Sequence, residues 1–387
     1  MSKSMNAPDG WEIKSFSTLA EIKMGQSPDS ELINENQRGM AFLQGNADFG
    51  DINPAECYWV SEPKKVAKKG DILISVRAPV GDINIANKEY CIGRGLGALT
   101  ITKIDATYGF YALLEEKHQL DRLSQGSTFL AIGKGDFDTL KIKYPIAKKE
   151  QEQIAKILST LDQAIEASQK LIEKEKNIKK GLMHDLLTNG IDKNGKIRNP
   201  ETHEYEESEL GLIPVEWEVD SIQNILTIQY GKDQKEVEVI NGKYPILGTG
   251  GLMGFTNHFL YDKPSVLIGR KGTINKPQYM ETPFWTVDTL FYSHIKAKHD
   301  PKWVFYIFEL INWNKYNEAS GVPSLSTANI NRIKIKKPSL VEQKEIANII
   351  TIQDKRIEKE VSNVEKLKKL KKGLMNDLLS GKVRVKI

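Results

Sequence analysis

Two stretches of the chain carry apolar residues at steps of about 3.5. In the first they are Ile154, Ile157/Leu158, Leu161, Ile165, Leu171/Ile172, Ile178, Leu182 and Leu186; in the second, Ile346, Ile349/Ile350, Ile357, Val364, Leu367, Leu370, Leu374 and Leu378. That period is helical. Neither stretch contains proline, and each has one internal glycine, Gly181 and Gly373. Each predicts a helix of ~58 Å at 1.5 Å per residue. A single amphipathic stripe of this kind does not stand alone in water, so the two helices are expected to pack on each other as a coiled coil. Ser168 and Glu175 in one seam, and Gln353 and Glu360 in the other, interrupt the apolar rows. Polar seam positions can fix register or orientation at some cost in stability.

The two stretches are copies. Shifting the chain by 192 aligns residues 150–188 with 342–380 without a gap, and 19 of the 39 positions are identical. Both begin with an EQ pair (Glu150-Gln151, Glu342-Gln343) and end in KKGLMxDLL (179–187, 371–379). A fainter repeat precedes them. Pro8-Asp9-Gly10-Trp11-Glu12 resembles Pro214-Val215-Glu216-Trp217-Glu218, with Gly25 and Gly231 each fourteen residues after the Trp. DILISVR (71–77) resembles SVLIGR (265–270), each a β-branched run delivering an arginine at its end. A glycine turn (Gly126, Gly321) and an alternating strand, LKIKYP (140–145) or IKIKKP (333–338), then lead into each helix.

The order expected is therefore a globular domain over 1–148, a long helix over 149–190, a polar, turn-rich linker over 191–213, a second domain over 214–338, and a second helix with a tail over 339–387. Short strands (DILISV, YPILG, SVLIG, TLFYSHI) outnumber helices such as GFYALLEEKHQL and PKWVFYIFELINW, so the domains read as mixed α/β, an α+β class with an internal pseudo-two-fold repeat. The strand order does not follow from the sequence.

Composition changes this picture little. No apolar run approaches the ~20 residues that span a bilayer, and the N-terminus lacks the apolar centre of a signal peptide. Two cysteines, Cys57 and Cys91, make no disulfide framework, so a cytoplasmic protein is expected. Charge is more informative by segment. Residues 1–148 carry 18 Lys/Arg against 19 Asp/Glu, residues 191–338 carry 18 against 18, and residues 339–387 carry 12 against 7. Neutral domains must take hold of any polyanion through local loops. The run KLKKLKK (366–372) reads as a solvated helix face.

Catalytic constellations do not assemble. The glycines at 93, 95 and 97, and at 248, 250 and 251, lack the dinucleotide spacing, and Gly133-Lys134 lacks the upstream glycine of a phosphate loop. Six histidines and two cysteines show no metal-ligand spacing. Asp9 with Glu21-Ile22-Lys23 is a weak likeness to a nuclease metal motif, and the N/D-P-P-Y/F signature of adenine methylation is absent.

The two-fold order of domain and helix, the helix starts EQEQIA and VEQKEIA and the ends KKGLMxDLL together resemble the specificity subunit of type I restriction–modification enzymes. So do YGKDQKEV (230–237), YPILGTGGLMGF (244–255), VLIGRKGTIN (266–275), FWTVDTLF (284–291) and ESELGLIPVEWEV (207–219). The likeness covers nearly the whole chain; RAPVGD in place of the GRKG phrase makes the first domain the looser match.

The resemblance implies two target-recognition domains, each reading one part of a split, asymmetric site in double-stranded DNA. It implies an antiparallel helix pair that sets the half-site spacing and seats two methyltransferase subunits. It also implies restriction (translocase/nuclease) subunits, no membrane, and no cofactor in this chain: S-adenosylmethionine, ATP and Mg would sit on the partners. Base and phosphate readers are then expected among loop residues, namely Arg77, Arg94 and Lys134 in the first domain and Lys232, Arg270, Lys271, Asn275 and Lys276 in the second. Arg270 has a second reading, as a brace that binds carbonyls of its own turn. Trp285, Tyr279 and Phe284 read as core. Ile154, Leu161, Ile165, Leu182, Met183, Leu186, Ile346, Ile357, Leu374, Met375 and Leu378 are expected at the helix pairing or a partner interface. Packing of the GLMxDLL ends onto a globular domain competes with direct methyltransferase contact. A coiled-coil scaffold with two protein-binding domains is the rival function, supported by the neutral domain charge.

Overall fold

The computed structural model describes residues 7–120 and 131–386, so Gly126 and its expected turn lie outside the described residues. The chain divides into two compact units. One holds residues up to 169 together with 362 onward, and the other holds 170–361. Two long helices, Lys148–Thr188 and Leu340–Leu379, each contribute to both units. The sequence orders domain, helix, domain, helix; the fold instead completes each domain with the start of the helix that follows it and the end of the other helix.

The reason is apolar burial. Ile154, Ala155 and Leu158 from the start of the first helix meet Met375, Leu378 and Leu379 from the end of the second, and both groups share one core with Trp11, Phe16, Tyr108 and Phe137. In the other unit, Ile346, Ala347 and Ile350 meet Met183, Leu186 and Leu187 around Trp217, Trp303 and Trp313. Burying each Ile, Leu or Met contributes about 1.5–3 kcal/mol. The GLMxDLL ends are therefore integral to the domain cores.

Each domain is built on the same sheet. In the first, strands Ala20–Met24, Leu96–Ile101, Ile72–Ser75 and Ile83–Ile85 lie in that order, all neighbours antiparallel. In the second, Leu226–Gln229, Leu290–Ile295, Ser265–Gly269 and Gln278–Met280 repeat the order and directions. Trp11–Ser15 pairs with Lys141–Pro145, as Glu218–Ser221 pairs with Lys334–Lys337, tying the start of each domain to the strand that enters its helix. A second sheet, five-stranded in the first domain and three-stranded in the other, contains a parallel pair in both, Phe42 beside Cys91 and Ile246 beside Trp285. The α+β class and the repeat expected from the sequence are the observed ones.

The identical polar residues of the repeat join helices to domains. In the first unit the Tyr111 hydroxyl donates to Asp162 (2.6 Å), which also takes Lys371 from the other helix at 2.5 Å. In the second unit Tyr306 donates to Asp354 (2.7 Å), which takes Lys179 at 2.8 Å. Burial disfavours the Lys179 charge, but Asp354 and Glu309 outweigh it and hold its pKa above the ordinary lysine value. Gln151 accepts the Asp105 amide and donates to the Pro145 carbonyl; Gln343 does the same with Asp300 and Pro338. Within each unit these contacts set the helices antiparallel, 162 against 371 and 179 against 354. Of the polar seam positions, Gln353 donates to Glu175, and Ser168 lies 3.5 Å from the Asn363 amide.

The stretch over 191–213 is more than a tether. Tyr205–Ser208 pairs with Gly211–Pro214, Ile191 is buried, and Arg198 reaches Glu342 at the base of the second helix. That carboxylate also accepts the Ile191 amide (2.9 Å) and the Trp217 indole (3.0 Å). Gly190, at φ 67°, closes the first helix where any Cβ would overlap Glu342 and Trp217. The C-terminal tail copies the device, with Arg384 forking onto Glu150 at 2.6 and 2.8 Å.

Candidate nucleic-acid interface

Antiparallel order brings several loops to one end of each four-stranded sheet. In the first domain this end carries the segments after Met24 and Ser75 and the turn before Leu96. Backbone hydrogen bonds lock them together. Gln26 N–H donates to the Ile92 carbonyl, Gly93 to Leu43, Leu96 to Gly93, Val76 to Gly95 and Ile132 to Val76, all at 2.8–3.0 Å. Gly25 is required here, because a Cβ would overlap the Gly93 carbonyl oxygen.

Arg77, Arg94 and Lys134 all emerge, exposed, from this cluster. Arg77 bridges through its backbone to Ala131, three residues before Lys134, and the Arg94 amide donates to Ser27 Oγ at 3.3 Å. Among the described residues, none of the three makes an ion pair.

The second domain repeats the lock with different side chains. Lys232 N–H donates to Thr286, Val287 to Leu247, Leu290 to Val287, Arg270 to Thr289 and Leu325 to Arg270, at 2.8–3.0 Å. Gly231 packs on the Val287 carbonyl as Gly25 does on Gly93. Lys271 bridges to Ser324 where Arg77 bridges to Ala131. This corrects the sequence alignment of the two arginines. The structural counterpart of Arg77 is Lys271, and that of Arg270 is Val76.

Arg270 accordingly differs from the other cations. It is partly buried, donates to the Asp288 carbonyl at 3.2 Å and lies over the Tyr230 ring at 5.2 Å. It braces the turn, the second of its two sequence readings. Lys232 and Lys271 are exposed beside it, while Asn275 and Lys276 are exposed farther along the same loop, after buried Ile274. Phe284 and Trp285 are buried and Tyr279 is partly so, in agreement with their core reading. Burial pushes the Tyr279 hydroxyl well above its ordinary pKa, and Glu281 and Asp300 add to it. Tyr230 and Asp288, both exposed at the loop cluster, lie within the phrases YGKDQKEV and FWTVDTLF that carry the resemblance, but nothing in the sequence marked either side chain as part of the site.

Of the helix positions, Ile154, Ile165, Met183, Leu186, Ile346, Met375 and Leu378 are buried, while Leu161, Leu182, Ile357 and Leu374 are partly covered. Farther along the helices, Leu171, Ile178, Ile352 and Val361 of the second unit and Leu370 of the first remain exposed. Within KLKKLKK, Lys366, Lys368, Lys369 and Lys372 are solvated, whereas Lys371 is spent on Asp162. Asp9 sits at a turn and offers its carbonyl to Arg384 at 2.8 Å. No helix among the described residues is long and apolar enough to cross a membrane.

The two halves are also recognised by comparison. The family model for the type I restriction modification DNA specificity domain matches residues 8–176 and again 214–367. The type I restriction enzyme MjaVIII specificity subunit of Methanocaldococcus jannaschii is 26% identical over 99% of this chain and 95% of its own length. A putative type I restriction enzyme specificity subunit of the same organism, MjaX, is 42% identical over 195 residues, which are 49% of this chain and 44% of that one. The chain thus matches under half the length of MjaX. The solved S subunit of a type I restriction-modification system from M. genitalium superposes with a TM-score of 0.68 at 20% identity, over 97% of this chain and 98% of that one. These matches do not favour the protein-scaffold reading. With both halves matched by the family model, and both domains built on one sheet plan, the chain belongs to the type I restriction–modification DNA specificity family, as a subunit that supplies DNA sequence specificity.

Proposed function

We propose that each loop cluster reads one half of a split DNA site, and that the half-sites differ because the clusters do. The observation that carries this is the shared lock: equivalent backbone turns present Arg77, Arg94 and Lys134 in one domain and Lys232 and Lys271 in the other. Phosphate contacts from such cations position a duplex, and contacts to base edges specify sequence. Asn275 and Lys276 extend the second cluster toward its sheet edge.

The chemistry belongs to partners. The chain would assemble with two adenine methyltransferase subunits that bind S-adenosylmethionine, and with restriction subunits that use ATP and Mg, in the cytoplasm. The exposed apolar residues along the helices (Leu171, Ile178, Ile352 and Val361 in one unit, Leu370 in the other) support partner docking there. The helices would then act as spacers, fixing how many base pairs lie unread between half-sites. The test is a genome-wide map of N6-methyladenine with and without this gene. Loss of one split, asymmetric motif on deletion is expected, with replacement of residues 1–148 changing only one half of it. Retention of every motif, while such a methyltransferase is expressed, would overturn the reading.

A further inference from the structure

The loop lock places two side chains of opposite charge at one position of the repeat. Residues Ile92–Leu96 and Thr286–Leu290 form the same turn: the first residue accepts from Gln26 or Lys232, and the second donates to Leu43 or Leu247. The fourth accepts from Val76 or Arg270, and the fifth donates back to the second. These four backbone contacts are common to both domains, while the Gly25 amide on the Leu96 carbonyl and the Lys271 amide on the Thr289 carbonyl each add to one turn only among the described residues. The third residue, the one free to project, is Arg94 in the first domain and Asp288 in the second. Both are exposed, and among the described residues neither side chain forms an ion pair.

A carboxylate at the edge of a DNA-binding loop is repelled by phosphates, so non-specific attraction does not explain Asp288. An acceptor-only group matches a base edge that donates. In the major groove the exocyclic amino group of cytosine is such a donor, and the O6 and N7 acceptors of guanine match the fork of an arginine. We propose that this turn position is a specificity determinant in both domains, with Arg94 reading a guanine in one half-site and Asp288 the amino group of a cytosine in the other. Arg270 is a positioning residue for Asp288: its guanidinium holds the Asp288 carbonyl, leaving the carboxylate free to face the base. The inference rests on the proposed loop-cluster reading and deepens it.

The experiment is enrichment of random duplexes by the full-length chain, co-purified with the subunits it assembles with, followed by sequencing. Wild type is compared with Asp288→Ala, the isosteric Asp288→Asn and Arg94→Ala. Asp288→Ala should lower the preference at one C·G pair of the second half-site by roughly tenfold and leave the first half-site intact. Asp288→Asn keeps the volume and should move that preference toward adenine, which takes the paired donor and acceptor of an amide. Arg94→Ala should do the converse, at one G·C pair of the first half-site. If wild type enriches a split motif and Asp288→Asn and Asp288→Ala leave every column unchanged, or weaken all columns evenly, this inference is wrong and the loop-cluster reading stands. If wild type enriches no split motif, both fail.

Discussion

Arg198 and Arg384 grip equivalent glutamates, but in different surroundings, and that difference makes a quantitative prediction. The Arg198 side chain is 8% exposed and its partner Glu342 10%, whereas Arg384 is 45% exposed over a Glu150 that is 1% exposed. Arg198→Met removes the cation and leaves the Glu342 carboxylate buried with only the Ile191 amide and the Trp217 indole as donors. Breaking a buried pair in this way costs about 3–5 kcal/mol, a large share of the ~5–15 kcal/mol that holds a domain together. With a urea dependence of about 2 kcal/mol per molar, the second domain should lose about 2 M in its midpoint. Arg384→Met also strands a carboxylate, Glu150, but Arg384 is half-exposed, so water can reach Glu150 in place of the lost guanidinium and the first domain should lose distinctly less. Urea titration read by hydrogen exchange in peptides of each domain separates the two effects without assuming one transition for the whole chain. Adding Glu342→Gln to Arg198→Met should recover part of the loss by removing the stranded charge. Equal losses for the two arginine variants, or a loss below 1 kcal/mol for Arg198→Met, would refute the argument from burial.

Three further outcomes follow from the same geometry. Gly25→Ala and Gly231→Ala each force a Cβ against a backbone carbonyl, at a cost of about 1–3 kcal/mol. Each should blur the half-site read by its own domain and spare the other, as scored by duplex enrichment. Arg77→Ala and Lys271→Ala, at equivalent bridges, should each flatten the slope of log affinity against log salt by about one, with no change in base preference; a change of preference without a change of slope would make them base readers instead. The pH dependence centres on Asp220. Burial raises its pKa, but the Lys337 ammonium, the Asn224 amide and the Ser221 amide outweigh it and hold the carboxyl below its ordinary value. Its contribution is therefore present above the unfolded value of about 3.9 and is lost as pH falls through the depressed folded value. Lys337→Met should flatten the acid limb of stability of the second domain between those points, and an unchanged acid limb would exclude the pair as its source.

The repeat, the helices and the two strands that lead into them were legible in the sequence because each depends on local periodicity. A 3.5-residue stripe can be satisfied only by a helix, and LKIKYP and IKIKKP alternate as half-buried strands must. The residues identical in both copies of the helix also announced themselves, although their purpose did not. Glu150, Gln151, Asp162 and Lys179 would serve equally well as solvated polar side chains until Arg384, Asp105, Tyr111, Tyr306 and Asp354 are brought against them or their copies from segments far away in sequence. The loop readers were half legible. Glycine and cation content marked the loops, but the shift that pairs Arg77 with Lys271 is set by which carbonyl each amide meets across the sheet end. The role of Arg270 as a brace depends on Asp288 and Tyr230. Sequence by itself determined a duplicated chain of domains and amphipathic helices, since periodicity and internal identity are properties of neighbouring residues. Only the tertiary structure decided that each helix end completes a domain core, and that Arg94 and Asp288 occupy one position, because burial and sheet register are fixed by contacts between segments that the linear order keeps apart.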